Sequence, residues 1–255
     1  MIYPYSQRPS ATQRINFYLT QAMAAPTSNL LSSTLYHGTP IEAHAQAILK
    51  EGIKSQDVTC AKKTKGFLAP VKGKVYLTQD LNYALLYLLG GSYVGHNPIE
   101  SVIKKDGQFG YLFVVPGTQL KDVQPDEDSI GDFIHENQAE SPNRYRYDYV
   151  PDFGGNPSDV NYAKKYTVWN YLKQNVTENQ FRKSTQGEMP WQAVAGKTAL
   201  KNMPDNIKLL LIELGAHIAH TGTVHPSECW QFDKLKSKQL TVINSNFFSL
   251  AERLK

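Results

Sequence analysis

Two cysteines in 255 residues, Cys60 and Cys229, are too few and too far apart for a disulfide framework or a metal-ligand cluster. Both are read as free thiols, with Cys229 a bystander beside the more informative Glu228. No apolar run approaches the roughly 20 residues that span a bilayer, so no membrane partner is expected. The segment Met1 to Ser10 has no basic region followed by an apolar stretch, so a cleaved secretory signal is not expected. The chain is therefore expected in the cytoplasm, or exported by a signal-independent route. A Walker loop, a Rossmann glycine fingerprint and a Gly-x-Ser-x-Gly elbow are all missing, as is any internal repeat.

What is present is a chain able to fold. Hydrophobic residues make up 41% and charged residues 20%. The net charge of +4 hides an uneven distribution. Lys121 to Asp152 holds nine acidic and three basic residues, whereas Tyr162 to Lys208 holds eight basic and three acidic. Charge alone does not identify a nucleic-acid binder. The run Arg144-Tyr145-Arg146-Tyr147-Asp148-Tyr149 and the lysines 62, 63 and 65 are candidate contacts for bases, phosphates or an anionic acceptor.

Residues 1–33 read as a polar lead-in to a single domain over 34–255. Leu30 to Tyr36 predicts a strand ending at His37. Thr39-Pro40 predicts a helix start, with Ile41, Ala45 and Ile48 on one stripe and Gly52 as its stop. Val75 to Thr78 predicts a short strand, with Thr78 capping a helix whose apolar stripe is Leu81, Ala84, Leu85 and Leu88. Tyr111 to Val115 is a β-prone strand closed by Pro116-Gly117. The stretch 121–201 reads as an insertion containing one helix, Tyr162 to Lys183. The core resumes at Ile207 to Glu213, with strands near Ala216 to His220 and within Leu240 to Phe248.

Two signatures carry the chemistry. The first is Leu35-Tyr36-His37-Gly38-Thr39. The second, about 39 residues on, is Gly73-Lys74-Val75-Tyr76-Leu77-Thr78 leading into Asn82-Tyr83-Ala84-Leu85-Leu86-Tyr87. In this order and strand-to-helix context they resemble the start of an ADP-ribosyltransferase domain of the poly(ADP-ribose) polymerase and diphtheria-toxin type. The resemblance covers about 35–90 and, more weakly, 206–235. It implies an α+β fold with a split, mostly antiparallel sheet, flanking helices, and NAD as co-substrate without a metal. It further implies that His37 binds the nicotinamide-side ribose, the Gly38 backbone and Thr39 hold the cofactor, and Tyr76 and Tyr87 clamp the nicotinamide ring. Tyr83 is the weaker match for that second ring.

The physics agrees with those assignments. A flat cationic ring between two tyrosines gains roughly 0.5–2 kcal/mol from each face. Cleaving the ribose–nicotinamide bond develops positive charge on the sugar, which a carboxylate stabilises. The family supplies a late glutamate for that role, and Glu228 in His225-Pro226-Ser227-Glu228-Cys229-Trp230 is the candidate. Glu188, in Ser184-Thr185-Gln186-Gly187-Glu188, is its competitor. His217, His220 and His225 invite a zinc reading, but residues 217 and 220 fall on opposite sides of a strand.

The expected activity is transfer of ADP-ribose to a protein or nucleic acid by a toxin- or effector-like enzyme, with a neutralising partner protein as a natural companion. The alternatives are an NAD glycohydrolase using the same site, an RNA 2′-phosphotransferase-like enzyme, and a catalytically silent binding module.

Overall fold

The largely polar stretch Thr34–Thr39 and the nearly unbroken apolar run Phe109–Pro116 give one partly covered and one largely covered strand. The computed structural model of the chain describes residues 33–55, 73–89, 99–136, 159–185, 189–237 and 251–254. In chain order the elements are β1 (Thr34–Thr39), α1 (Glu42–Glu51), β2 (Lys74–Leu77), α2 (Leu81–Leu88), α3 (Ile99–Asp106), β3 (Phe109–Pro116) and β4 (Gln124–Pro125). There follow α4 (Glu127–Glu136), α5 (Val160–Asn175), α6 (Glu178–Thr185), α7 (Met189–Leu200), α8 (Asp205–Glu213), β5 (Ile218–Thr221), β6 (Glu228–Asp233), α9 (Lys234–Ser237) and β7 (Ala251–Leu254). The architecture is a mixture of helices and antiparallel sheet, an α+β arrangement.

The described residues fall into two compact units: Gln124–Ala216 in one, and those before and after that stretch in the other. Most of the stretch expected as an insertion lies in the first unit, which is built from α4 to α8. Its core is Ile130, Phe133 and Ile134 of α4 against Val168, Trp169 and Leu172 of α5, closed by Ala195, Ala199, Leu210 and Leu211. Trp169 meets Phe181 edge to face at 5.0 Å. The single helix expected over Tyr162 to Lys183 is two, α5 and α6, broken at Val176-Thr177. Thr177 Oγ1 accepts from Gln180 N–H at 3.4 Å while Gln180 Oε1 accepts from Thr177 N–H at 3.3 Å. That reciprocal cap starts a new helix where the apolar pattern runs on.

In the second unit, β1, β3, β6 and β7 form an antiparallel sheet in that order, and β2 pairs antiparallel with β5. Helix α1 packs on β1 and β3. Helix α2 sets Ala84, Leu85 and Leu88 against Leu112 and Phe232, with Tyr36, Leu81 and Trp230 at the margin. Gly38 and Gly110 admit this helix: a Cβ on Gly38 would lie 2.2 Å from the Ala84 carbonyl oxygen, and one on Gly110 2.4 Å from that of Leu88. Lys234, wholly buried, donates to the Pro40 and Gly107 carbonyls at 2.8 Å each and ties α9 to the loops after β1 and α3.

Two helix starts differ from expectation. Helix α1 begins at Glu42 with Ile41 in the cap position, and Thr39 ends β1, its hydroxyl accepting from Ile41 N–H at 3.4 Å. At α2 the cap is Asp80, which accepts from Asn82 N–H at 2.8 Å, while Thr78 accepts from Asp80 N–H at 3.0 Å. The stop at Gly52 lies where expected, with φ of 80°. The expected strand region Leu240 to Phe248 lies outside the described residues, as do Cys60, the lysines 62, 63 and 65, and Arg144 to Tyr149. No helix among the described residues is long and apolar enough to cross a membrane.

Candidate functional site

Strands β1 and β2 touch at one residue pair and then part. Tyr36 N–H donates to the Thr78 carbonyl at 2.8 Å, and Thr78 N–H returns a bond to the Tyr36 carbonyl at 3.0 Å. In an antiparallel ladder the next such pair would be Gly38 with Tyr76. It does not form: the two strands belong to different sheets, and the Tyr76 carbonyl accepts from His37 Nδ1 at 3.1 Å. The N–H and C=O of Gly38 on that edge have no backbone partner among the described residues. Sequence alternation thus puts an imidazole where the ladder opens and a glycine backbone beside it.

A carbonyl only accepts, so the His37 proton sits on Nδ1 and Nε2 is the acceptor of the neutral ring. Burial draws the His37 pKa below its usual value, against the bond to the Tyr76 carbonyl, which raises it; His44 lowers it further. The ring is therefore neutral at neutral pH and able to accept from a hydroxyl.

Next to this opening is an aromatic group. Tyr87, 51% exposed, leans on Tyr83 with ring centroids 5.2 Å apart. Their hydroxyls lie 3.5 Å from each other. Tyr83 stacks on His217 at 3.9 Å, and His217 Nδ1 lies 2.9 Å from Thr78 Oγ1. Burial lowers the His217 pKa, with Asp80 opposing. His220, three residues on, bonds the Lys121 carbonyl instead, and His225 N–H bonds Gln119. The histidines thus have separate partners.

Glu228 opens β6. Register aligns it with Val114 of β3 and, through Val114, with Tyr36 of β1 and Thr78 beyond. Directly opposed residues share a face, so Glu228 lies on the same side as Tyr36, Gly38 and Trp230. His37 aligns with Phe113 and Cys229 and so alternates to the other side. Two strand spacings, roughly 10 Å, separate the backbones of Tyr36 and Glu228. Between them Val114 is only half buried, although it sits in a central strand whose neighbours Leu112, Phe113 and Val115 are fully buried. The row Tyr36–Val114–Glu228 is an open strip beside the start of α2. Trp230 Nε1 donates to Glu228 Oε2 at 3.0 Å, and Arg253 of β7 pairs with Glu228 Oε1 at 2.9 Å.

With this geometry in view, the chain was compared with known proteins: no family model, curated protein or solved structure matches it. The residues must speak for themselves. The structure brings His37 against Tyr76, and Gly38 against the helix that carries Tyr87. It puts Thr39 at the far end of β1, buried. Glu228 is held by Trp230 and Arg253, on the face opposite His37. Glu188 lies outside the described residues. Cys229 is buried, and burial pushes its thiol up to about 12, which makes it a poor nucleophile. Sequence reading missed Tyr36, Thr78, Trp230 and Arg253, and set His217 aside. Tyr36 was legible, since it sits two residues before Gly38 in a strand and must share its face. Nothing in the sequence marks Arg253.

Proposed function

We propose that the chain is an NAD-dependent ADP-ribosyltransferase that moves ADP-ribose to a macromolecular acceptor and releases nicotinamide. The observation that carries this reading is the opened Gly38–Tyr76 pair. A carboxamide carries a donor and an acceptor side by side, so it can take the place of the missing strand residue against Gly38. His37, on the other face, occupies the Tyr76 carbonyl through Nδ1 and so keeps that edge of the ladder open. Tyr76 and the exposed Tyr87 supply ring faces for the pyridinium.

The reaction follows from charge. As the C1′–N bond breaks, its electron pair passes to the pyridinium nitrogen and neutral nicotinamide leaves. Positive charge remains on C1′ and the ring oxygen, and the Glu228 carboxylate, on the face shared with Gly38, stabilises it. The acceptor atom then bonds to C1′ and gives its proton to solvent. Trp230 and Arg253 fix the carboxylate by one bond to each oxygen, so it needs little reorganisation as charge develops.

The test is incubation of the protein with labelled NAD and a cell lysate, followed by nuclease or protease digestion of the labelled fraction. Label joined to protein or nucleic acid, with nicotinamide released, is the expected result. Glu228→Gln should lower both signals about 10²- to 10³-fold. Nicotinamide release without label transfer would make the protein a glycohydrolase. Absence of both would remove the proposed activity.

A further inference from the structure

Arg253 is the basic side chain beside the candidate carboxylate. Register sets it opposite Trp230, in a row that runs Gly38, Leu112, Trp230, Arg253 across β1, β3, β6 and β7. It therefore lies on the face that carries Gly38 and Glu228, at the end of the sheet away from β1. The side chain is 57% exposed, and Glu228 beside it 33%. A guanidinium has five N–H donors in a planar fork. Among the described residues its one ion pair is with Glu228, through Nη2.

Charge makes this placement informative. A dinucleotide brings two anionic phosphates close to the ribose that a catalytic carboxylate must reach, and carboxylate and phosphate repel. A cation between them removes that conflict, and an arginine fork matches phosphate oxygens in pairs.

We propose that Arg253 binds the pyrophosphate of the dinucleotide while it holds Glu228, and so makes the site selective for a phosphorylated nicotinamide riboside. This rests on the NAD reading above and adds to it a residue outside the two motifs that suggested NAD. Its removal weakens binding of the phosphate end of the ligand more than that of the nicotinamide end.

The test measures nicotinamide release from NAD by the whole chain, with ADP-ribose and nicotinamide as competing inhibitors. Wild type, Arg253→Ala and Arg253→Lys are compared after thermal melts have established folding. The ratio of the ADP-ribose inhibition constant to the nicotinamide inhibition constant should rise about 10- to 100-fold in Arg253→Ala. Arg253→Lys should recover part of it, because it restores charge without the fork. A ratio within about twofold of wild type in both variants, whatever happens to kcat, would overturn the proposal and leave Arg253 as a support for Glu228 alone. ADP-ribose that does not compete in the wild type would overturn it as well. A wild-type protein that releases no nicotinamide fails at the earlier step, and removes the transferase reading itself.

Discussion

Burial disfavours charge in both the helical unit and the sheet unit, acting on carboxylates in the first and on imidazoles in the second. In the helical unit, Asp126 and Asp128 sit with Glu127 and Asp132 at the start of α4. Burial, reinforced by neighbouring carboxylates, raises Asp126 to about 8 and Asp128 to about 6; Lys197 opposes the shift at Asp128. In the sheet unit the perturbed groups include His37 and His217, drawn down by burial at the place where two strands part. The first set closes a helix start within a self-contained core. The second lies where the β1–β2 ladder is interrupted, beside Gly38 backbone groups without a backbone partner among the described residues. Desolvation is common to both sets, so the interrupted ladder is what distinguishes the second.

A pair of glycines breaks this comparison most sharply. A Cβ on Gly38 would lie 2.2 Å from the Ala84 carbonyl oxygen, and one on Gly196 would lie 2.0 Å from that of Glu127. Alanine at either position should cost about 1–3 kcal/mol in chemical denaturation, because backbone must move. Gly38→Ala should also weaken NAD binding about tenfold or more in calorimetry, whereas Gly196→Ala should leave it near wild type. Equal losses of NAD affinity in the two variants would erase the distinction between the units.

The units should also respond to pH with opposite signs. For Asp126 and Asp128 the folded pKa lies above the unfolded value of 3.8. The folded state then binds more protons, so stability is full below about pH 4 and declines as pH rises through 6 to 8. For His37 and His217 the folded pKa lies below 6.5, so stability is full above that and declines on acidification. Hydrogen exchange corrected for intrinsic rates should find α4 and α7 better protected at pH 5.5 than at pH 8, and β1 and β2 the reverse. Asp126→Asn should flatten the first trend.

His217→Ala gives the smallest effect. It removes the stack on Tyr83 and the contact with Thr78, a loss of about 0.5–1.5 kcal/mol in unfolding experiments. The measurable signature is a change in tyrosine fluorescence at the opening, which an alanine at His220, bonded to Lys121, should not produce.

Legibility in the sequence followed the range of the interactions. The inward stripe of α2 was readable at Ala84, Leu85 and Leu88, because helical periodicity is local. So were the stop at Gly52 and the strand through Tyr111 to Val115. The break at Val176-Thr177 was hidden, since the apolar pattern continues across it and only the Thr177–Gln180 cap interrupts it. The start of α1 was displaced by reading Thr39-Pro40 as a cap and first turn when Thr39 was still needed by β1. At the site, His37 and Tyr76 were readable as strand residues, although β1 runs on to Thr39 and does not end at His37. The side of the sheet on which Glu228 lies was not, because it depends on pairing through β3 between residues more than a hundred positions apart. Arg253 reaches Glu228 only through the β6–β7 register, which no local pattern encodes.

The central claim is that the backbone edge of Gly38 receives the amide end of the substrate, and backbone NMR on the ¹⁵N-labelled protein addresses it most directly. Titration with NAD should shift the Gly38 amide downfield and slow its exchange with solvent, as a new hydrogen bond requires, with smaller changes at Tyr36 and Thr78. A saturating titration in which the Gly38 resonance stays put would contradict the account.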